Sequence, residues 1–123
     1  SANAWWAKEW TQRKPLSVDT GTTGANLAAP VNDVPLLLRL HAGNFPQFLS
    51  VREGGLDLRF VAGDDQTPLK YHVEKFDAAA QMALVWVKLP VVNPQTPDNR
   101  LFMYFGNAQA VDAADPGASF DAD

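Results

Sequence analysis

Met82-Ala-Leu-Val-Trp-Val-Lys-Leu89 is the stretch with the strongest β character in the chain. Its branched and aromatic side chains suit a pleated, half-buried surface. The longest apolar run, Met82 to Val87, lies inside it and is far short of the roughly 20 residues that cross a bilayer as a helix. It therefore reads as a strand, with Val85 and Val87 in a core. Further β-like runs lie on both sides: Arg13 to Val18, Val34 to Leu40, Leu56 to Val61, Lys70 to Phe76 and Arg100 to Phe105. In Leu56 to Val61, Leu56, Leu58 and Phe60 share one face, and Asp57 and Arg59 the other. In the last run Leu101, Met103 and Phe105 oppose Phe102 and Tyr104. The expected core is Leu58, Phe60, Val73, Val85, Val87, Leu101 and Met103.

Turn chemistry separates these runs. A polar, Gly-containing stretch spans Asp19 to Asp33, Gly54-Gly55 precedes Leu56, and Gly63-Asp64-Asp65-Gln66-Thr67-Pro68 precedes Lys70. Asp77 to Gln81 is too short for a stable helix and reads as a hairpin turn. Ala108 to Ala114 fits one exposed turn before Asp115-Pro116-Gly117. Six short strands between such loops predict an all-β fold: an antiparallel β-sandwich, jelly-roll-like, in two packed sheets. The expected organisation is an aromatic segment (1–12) packing on a β-sandwich domain (13–115), then an acidic linker (116–123) to a following domain.

The chain has 123 residues, with ten Lys and Arg against fourteen Asp and Glu, a net charge of −4. No basic cluster exceeds Arg13-Lys14, which argues against nucleic acid and against anionic lipid as partners. No segment is expected to insert in a membrane. Cysteine is absent, so disulfides are excluded. Ala2 and Ala4 match the small-residue pattern of a signal-cleavage site, and equally a vector-derived extension.

Three constellations carry possible chemistry. Trp5, Trp6 and Trp10 offer flat apolar faces and N–H donors for stacking on a sugar, or else cover the sandwich as core. Asp57, Arg59 and Glu74 form either a ligand-facing polar site or a structural ion pair, with Arg59 meeting Glu74 or Asp57 if their strands pair. The turn Asp64-Asp65-Gln66-Thr67 has oxygens for a cation but lacks the spacing of a calcium loop, so a plain turn is favoured. His41 and His72 are far apart in sequence, no G-x-S-x-G motif occurs, and a deep cleft for paired carboxylates does not suit a domain this small. No enzyme activity, cofactor or metal is expected.

Taken together, W-W-x-x-x-W-x-x-R-K from Trp5, V-P-L-L-L-R-L-H-x-x-N-F from Val34, G-x-D-L-R-F-V from Gly55, T-P-L-x-Y-x-V-E-K-F from Thr67, A-L-V-W-V-K-L-P from Ala83 and M-Y-F-G-N from Met103 resemble a bacterial domain of unknown function. That domain sits at the exported N-terminus of MotA/TolQ/ExbB proton-channel proteins and beside concanavalin A-like lectin domains. The resemblance implies a periplasmic or extracellular module with neighbouring domains in a longer chain. It implies no catalytic residues. The chain departs from the family in having one tyrosine, Tyr104, where two are usual, and in the less polar loop Pro46-Gln47-Phe48-Leu49. The expected function is recognition of a glycan or another envelope component through Trp5, Trp6, Trp10, Asp57, Arg59, Glu74, Tyr104 and Asn107. The alternative is a structural docking domain that positions lectin or channel neighbours.

Overall fold

The computed structural model describes residues 6–18, 28–92, 99–111 and 113. Trp5 and the expected linker 116–123 lie outside the described residues. Among those described, six strands form: β1 (Gln12–Val18), β2 (Val31–His41), β3 (Arg59–Ala62), β4 (Tyr71–Asp77), β5 (Met82–Val92) and β6 (Asn99–Phe105). They make two three-stranded antiparallel sheets, ordered β1-β6-β3 and β2-β5-β4. The first strand pairs with the last and the second with the second-to-last, in different sheets. This is the winding of a jelly roll, and the fold is an all-β sandwich.

The alternation of β5 shows why the sheets close on each other. Ala83, Val85, Val87 and Leu89 are buried, whereas Leu84, Trp86 and Lys88 between them are half-buried on the outer face. The inward set meets Leu101, Met103, Phe105 and Phe60 from the opposite sheet in one core. Phe45, Phe48 and Phe105 close one end through edge-on ring contacts with centroids 5.1 Å apart. Of the expected core, Leu58, Phe60, Val85, Val87, Leu101 and Met103 are buried. Val73 packs against that core but is only partly buried, because β4 is an edge strand.

β6 lies between β1 and β3 and is buried on both faces. Its outward residues Phe102 and Tyr104, with Val61 of β3, form a second apolar cluster covered by Trp6 and Trp10. Trp6 and Trp10 thus lie as a third layer on the β1-β6-β3 sheet.

One strand begins later than its alternation suggests. Leu56 to Leu58 form a turn, and β3 starts only at Arg59. Gly54 and Gly55 both adopt positive φ, 72° and 76°, which reverses the chain before the strand. The turns expected over Asp77 to Gln81 and near Ala108 are present, the second only in part among the described residues.

Val87→Asp places an unpaired charge between the two sheets and should cost about 4 kcal/mol or more, enough to prevent folding. A circular dichroism melt of that variant with a near-normal midpoint would contradict the strand phase described here.

Candidate functional site

Asp57 sits in the turn before β3 and is 1% exposed. Its carboxylate accepts N–H bonds from Arg52 (2.9 Å), Gly106 (2.8 Å) and Asn107 (3.0 Å). A buried carboxylate is tolerable only when its oxygens are satisfied in this way. The turn that delivers two of these donors requires Gly106, whose φ is 84° and where a Cβ would collide with the Thr11 hydroxyl. Asn107 contributes its backbone here, while its side-chain Oδ1 accepts from the Gln109 N–H.

Arg59 extends the same junction. Its guanidinium donates to the carbonyls of Leu58 (2.8 Å), Leu56 (3.0 Å) and Val111 (2.5 Å), reaches the Tyr71 hydroxyl at 3.2 Å, and stacks 5.0 Å from the Trp10 ring centre. The Trp10 indole N–H donates to the Asp57 carbonyl at 2.6 Å. Arg52 similarly donates to the Ala110 carbonyl. The expected pairing of Arg59 with Glu74 or Asp57 is therefore corrected. β3 and β4 belong to different sheets, the Asp57 carboxylate faces backbone amides, and Arg59 holds two carbonyls of its own turn and that of Val111 beyond β6.

Tyr104, on β6, lies under Trp6, with ring centres 5.4 Å apart. Its hydroxyl accepts from the Trp6 backbone N–H at 3.0 Å and donates to the buried Asp65. Arg13 closes the group with an ion pair to Asp65 and lies 4.8 Å over the Phe102 ring. In the turn Asp64-Asp65-Gln66-Thr67 both carboxylates are engaged. Asp64 accepts from the Thr67 hydroxyl and from the N–H groups of Thr67 and Gln66, and those bonds, the hydroxyl first, hold its carboxyl below the ordinary aspartate range.

Six of the expected ligand residues thus gather on one side of the molecule: Trp6, Trp10, Asp57, Arg59, Tyr104 and Asn107. Each of them is hydrogen-bonded to another part of this chain. Glu74 lies elsewhere, on the outer face of the β2-β5-β4 sheet.

That outer face is built differently. Register places Leu37, Trp86 and His72 in one row across β2, β5 and β4. The next row holds Arg39, Leu84 and Lys75. A β-bulge between Val73 and Lys75 inserts Glu74 as an extra residue. The bulge turns its carboxylate to accept the Trp86 indole N–H at 3.1 Å. The indole is thereby fixed at the centre of a three-stranded face, between Leu37 and Leu84. Shallow grooves lie elsewhere along the described residues: one of about 410 Å³ beside Asp57, Gly106 and Leu49, one of about 310 Å³ beside Lys70, Lys88 and Asp33, and one of about 570 Å³ beside Leu49, Phe76 and Lys75.

Residues 54–122, over half of the chain, match the family described as Domain of unknown function (DUF2341). The chain belongs to this family. The matched region of DUF2341 starts at the glycine pair before Asp57 and takes in Arg59, Glu74, Trp86, Tyr104 and Asn107. No curated protein and no solved structure matches the chain.

Asp57→Ala leaves three buried or half-buried N–H donors without an acceptor, and should lower stability by about 3 kcal/mol in urea unfolding. Arg59→Ala should destabilise by about 2 kcal/mol, through loss of charged hydrogen bonds and the Trp10 contact.

Burial first, then the bond to Asp65, hold the Tyr104 hydroxyl above the ordinary tyrosine pKa of 10.0. The folded state binds this proton more tightly than the unfolded chain does. Its contribution is complete below the ordinary value and is lost as pH rises through the folded one. Alkaline titration should therefore destabilise the protein above about pH 10, and Tyr104→Phe should remove that component; an unchanged alkaline limb in the variant would assign it to other groups.

Proposed function

We propose that this domain is a recognition module without catalytic activity, and that it holds a saccharide against the outer face of the β2-β5-β4 sheet. The observation that carries the reading is Trp86. Its indole, half-buried, stands at the middle of the outer sheet face, flanked by Leu37 and Leu84, and is oriented by its bond to Glu74. A flat aromatic surface locked in one orientation suits the apolar face of a pyranose ring, because little conformational freedom is lost on stacking. His72, Arg39 and Lys75 lie on the same face within two register rows and supply polar contacts around it. Over β1-β6-β3, Trp10, Asp57, Arg59, Tyr104 and Arg13 are bonded to other parts of the protein, which favours the opposite face for the ligand.

The setting we propose is the periplasm or the extracellular space, in a longer protein of the TolQ/ExbB-type proton-channel class. This rests on the motif resemblance described above.

A second reading, a docking domain for neighbouring lectin or channel domains, is favoured by one observation. Leu49, at the tip of the loop before β3, is 89% exposed. It borders the groove beside Asp57, where Val51 is buried. A docking site of that kind needs a contiguous apolar patch, and Leu49 also borders a second groove that Phe76 and Ala78 line.

Affinity electrophoresis of the isolated domain through gels containing a panel of neutral and acidic polysaccharides tests the first reading. At least one polymer should retard the protein, and Trp86→Ala should weaken that retardation by about tenfold or more, roughly 1.4 kcal/mol of binding energy. Leu49→Ser should leave it unchanged. Migration unaffected by every polymer, or binding that survives Trp86→Ala and is lost in Leu49→Ser, would overturn the proposal in favour of docking.

A further inference from the structure

Four cations surround Trp86 in two pairs. Along β5, Lys88 follows Trp86 by two residues on the same outer face. Lys88 donates its backbone N–H to the Lys70 carbonyl at 3.0 Å, which brings Lys70 alongside. Lys70 is exposed between the buried Leu69 and Tyr71, so it points outward. On the other side of Trp86, Arg39 and Lys75 are the register partners of Leu84 from β2 and β4, and both are exposed. At roughly 3.4 Å per residue, the two pairs stand roughly 7 Å above and below the indole.

This face holds four of the ten Lys and Arg residues of a chain whose net charge is −4. Acidic groups on it are engaged. Glu74 accepts from the Trp86 indole, and the Asp77 carboxylate accepts from the Ala80 N–H in the β4–β5 turn at 3.0 Å. Asp33 lies at the border, in the groove beside Lys70 and Lys88.

Resting on the saccharide reading above, we infer that the ligand is an acidic glycan: a polymer whose pyranose rings stack on Trp86 while their carboxylates meet Lys70, Lys88, Arg39 and Lys75. The donor inventory carries this choice. A neutral sugar presents hydroxyls, which both donate and accept, and its binding sites pair them with groups of both kinds. Lysine and arginine donate only, and the carboxylate nearest the indole, Glu74, already accepts the indole N–H at one oxygen. A surface of donors around an apolar plate complements a ligand whose polar atoms chiefly accept, and the ionised carboxylates of a uronate polymer do so. The acidic remainder of the chain repels the same polymer, which steers it to this face.

The test is native affinity electrophoresis of the intact domain with two acidic polymers, polygalacturonate and alginate, and two neutral ones, hydroxyethyl cellulose and dextran. Acidic polymers should retard the protein and neutral ones should not. Lys88→Gln and, independently, Lys75→Gln should each weaken retardation by about threefold or more, with circular dichroism spectra matching the parent. Raising salt from 50 to 500 mM should weaken it further, because charges on an open face are screened. Retardation by neutral polymers equal to that by acidic ones would overturn this inference and leave the saccharide reading standing. Retardation by none would remove both. Equal retardation by dextran sulfate or single-stranded DNA, insensitive to Trp86→Ala, would show attraction by charge alone and overturn the inference as well.

Discussion

The carboxylate of Asp57 is the constraint on which the domain's closed end depends. It draws amides from two segments far apart in sequence, Arg52 in the loop before β3 and Gly106-Asn107 after β6. Each amide is half-buried and would otherwise depend on water for its acceptor. Around this point the guanidinium groups of Arg52 and Arg59 take carbonyls at Ala110 and Val111, so donors and acceptors of the exiting chain are satisfied from both sides. Trp10 then covers Arg59 and binds the Asp57 carbonyl. The motif residues that look most like a ligand site in the sequence are those that fasten the sandwich shut.

The two sheets divide the work between stability and surface. Over β1-β6-β3, an aromatic layer and the Arg13, Asp65 and Tyr104 group bury the outer face, and β6 becomes an internal strand. Over β2-β5-β4, the outer face remains partly open. Trp86 is therefore flanked along its own strand by Val85 and Val87, both fully buried in the core. A side chain between two such anchors has little freedom of backbone position, which is what preorganised recognition asks of its scaffold.

Much of the fold was legible because alternation is a local property. β1, β2, β4, β5 and β6 lie where branched and aromatic residues recur between turn signals, and the inward set from Leu101 to Phe105 follows from period two alone. Leu56 to Leu58 misled for a physical reason. The alternation continues there, but two positive-φ glycines and the pull of Asp57 on distant amides turn the chain before the strand begins. The partners of Arg59 were not legible, since they depend on which sheet receives β3, a non-local outcome. Nor could the sequence say that the face of Phe102 and Tyr104 would be roofed by Trp6 and Trp10. The outward place of Trp86 did have a readable signal: with Val85 and Val87 inside, period two puts the indole outside.

The pairing of the first strand with the last has a mechanical meaning. Gln12 and Phe105 are register partners, so the chain enters and leaves the sandwich at the same end. Tension applied through both segments would load the β1–β6 ladder one rung at a time, as a zipper opens, instead of shearing all its hydrogen bonds together. The first rungs met are those beside the Asp57 and Arg59 fastening, with Thr11 also bonded to the Gly106 carbonyl at 2.7 Å. The junction thus acts as a clasp at the mouth of the zipper, and it is there that a pull from flanking segments would first be resisted.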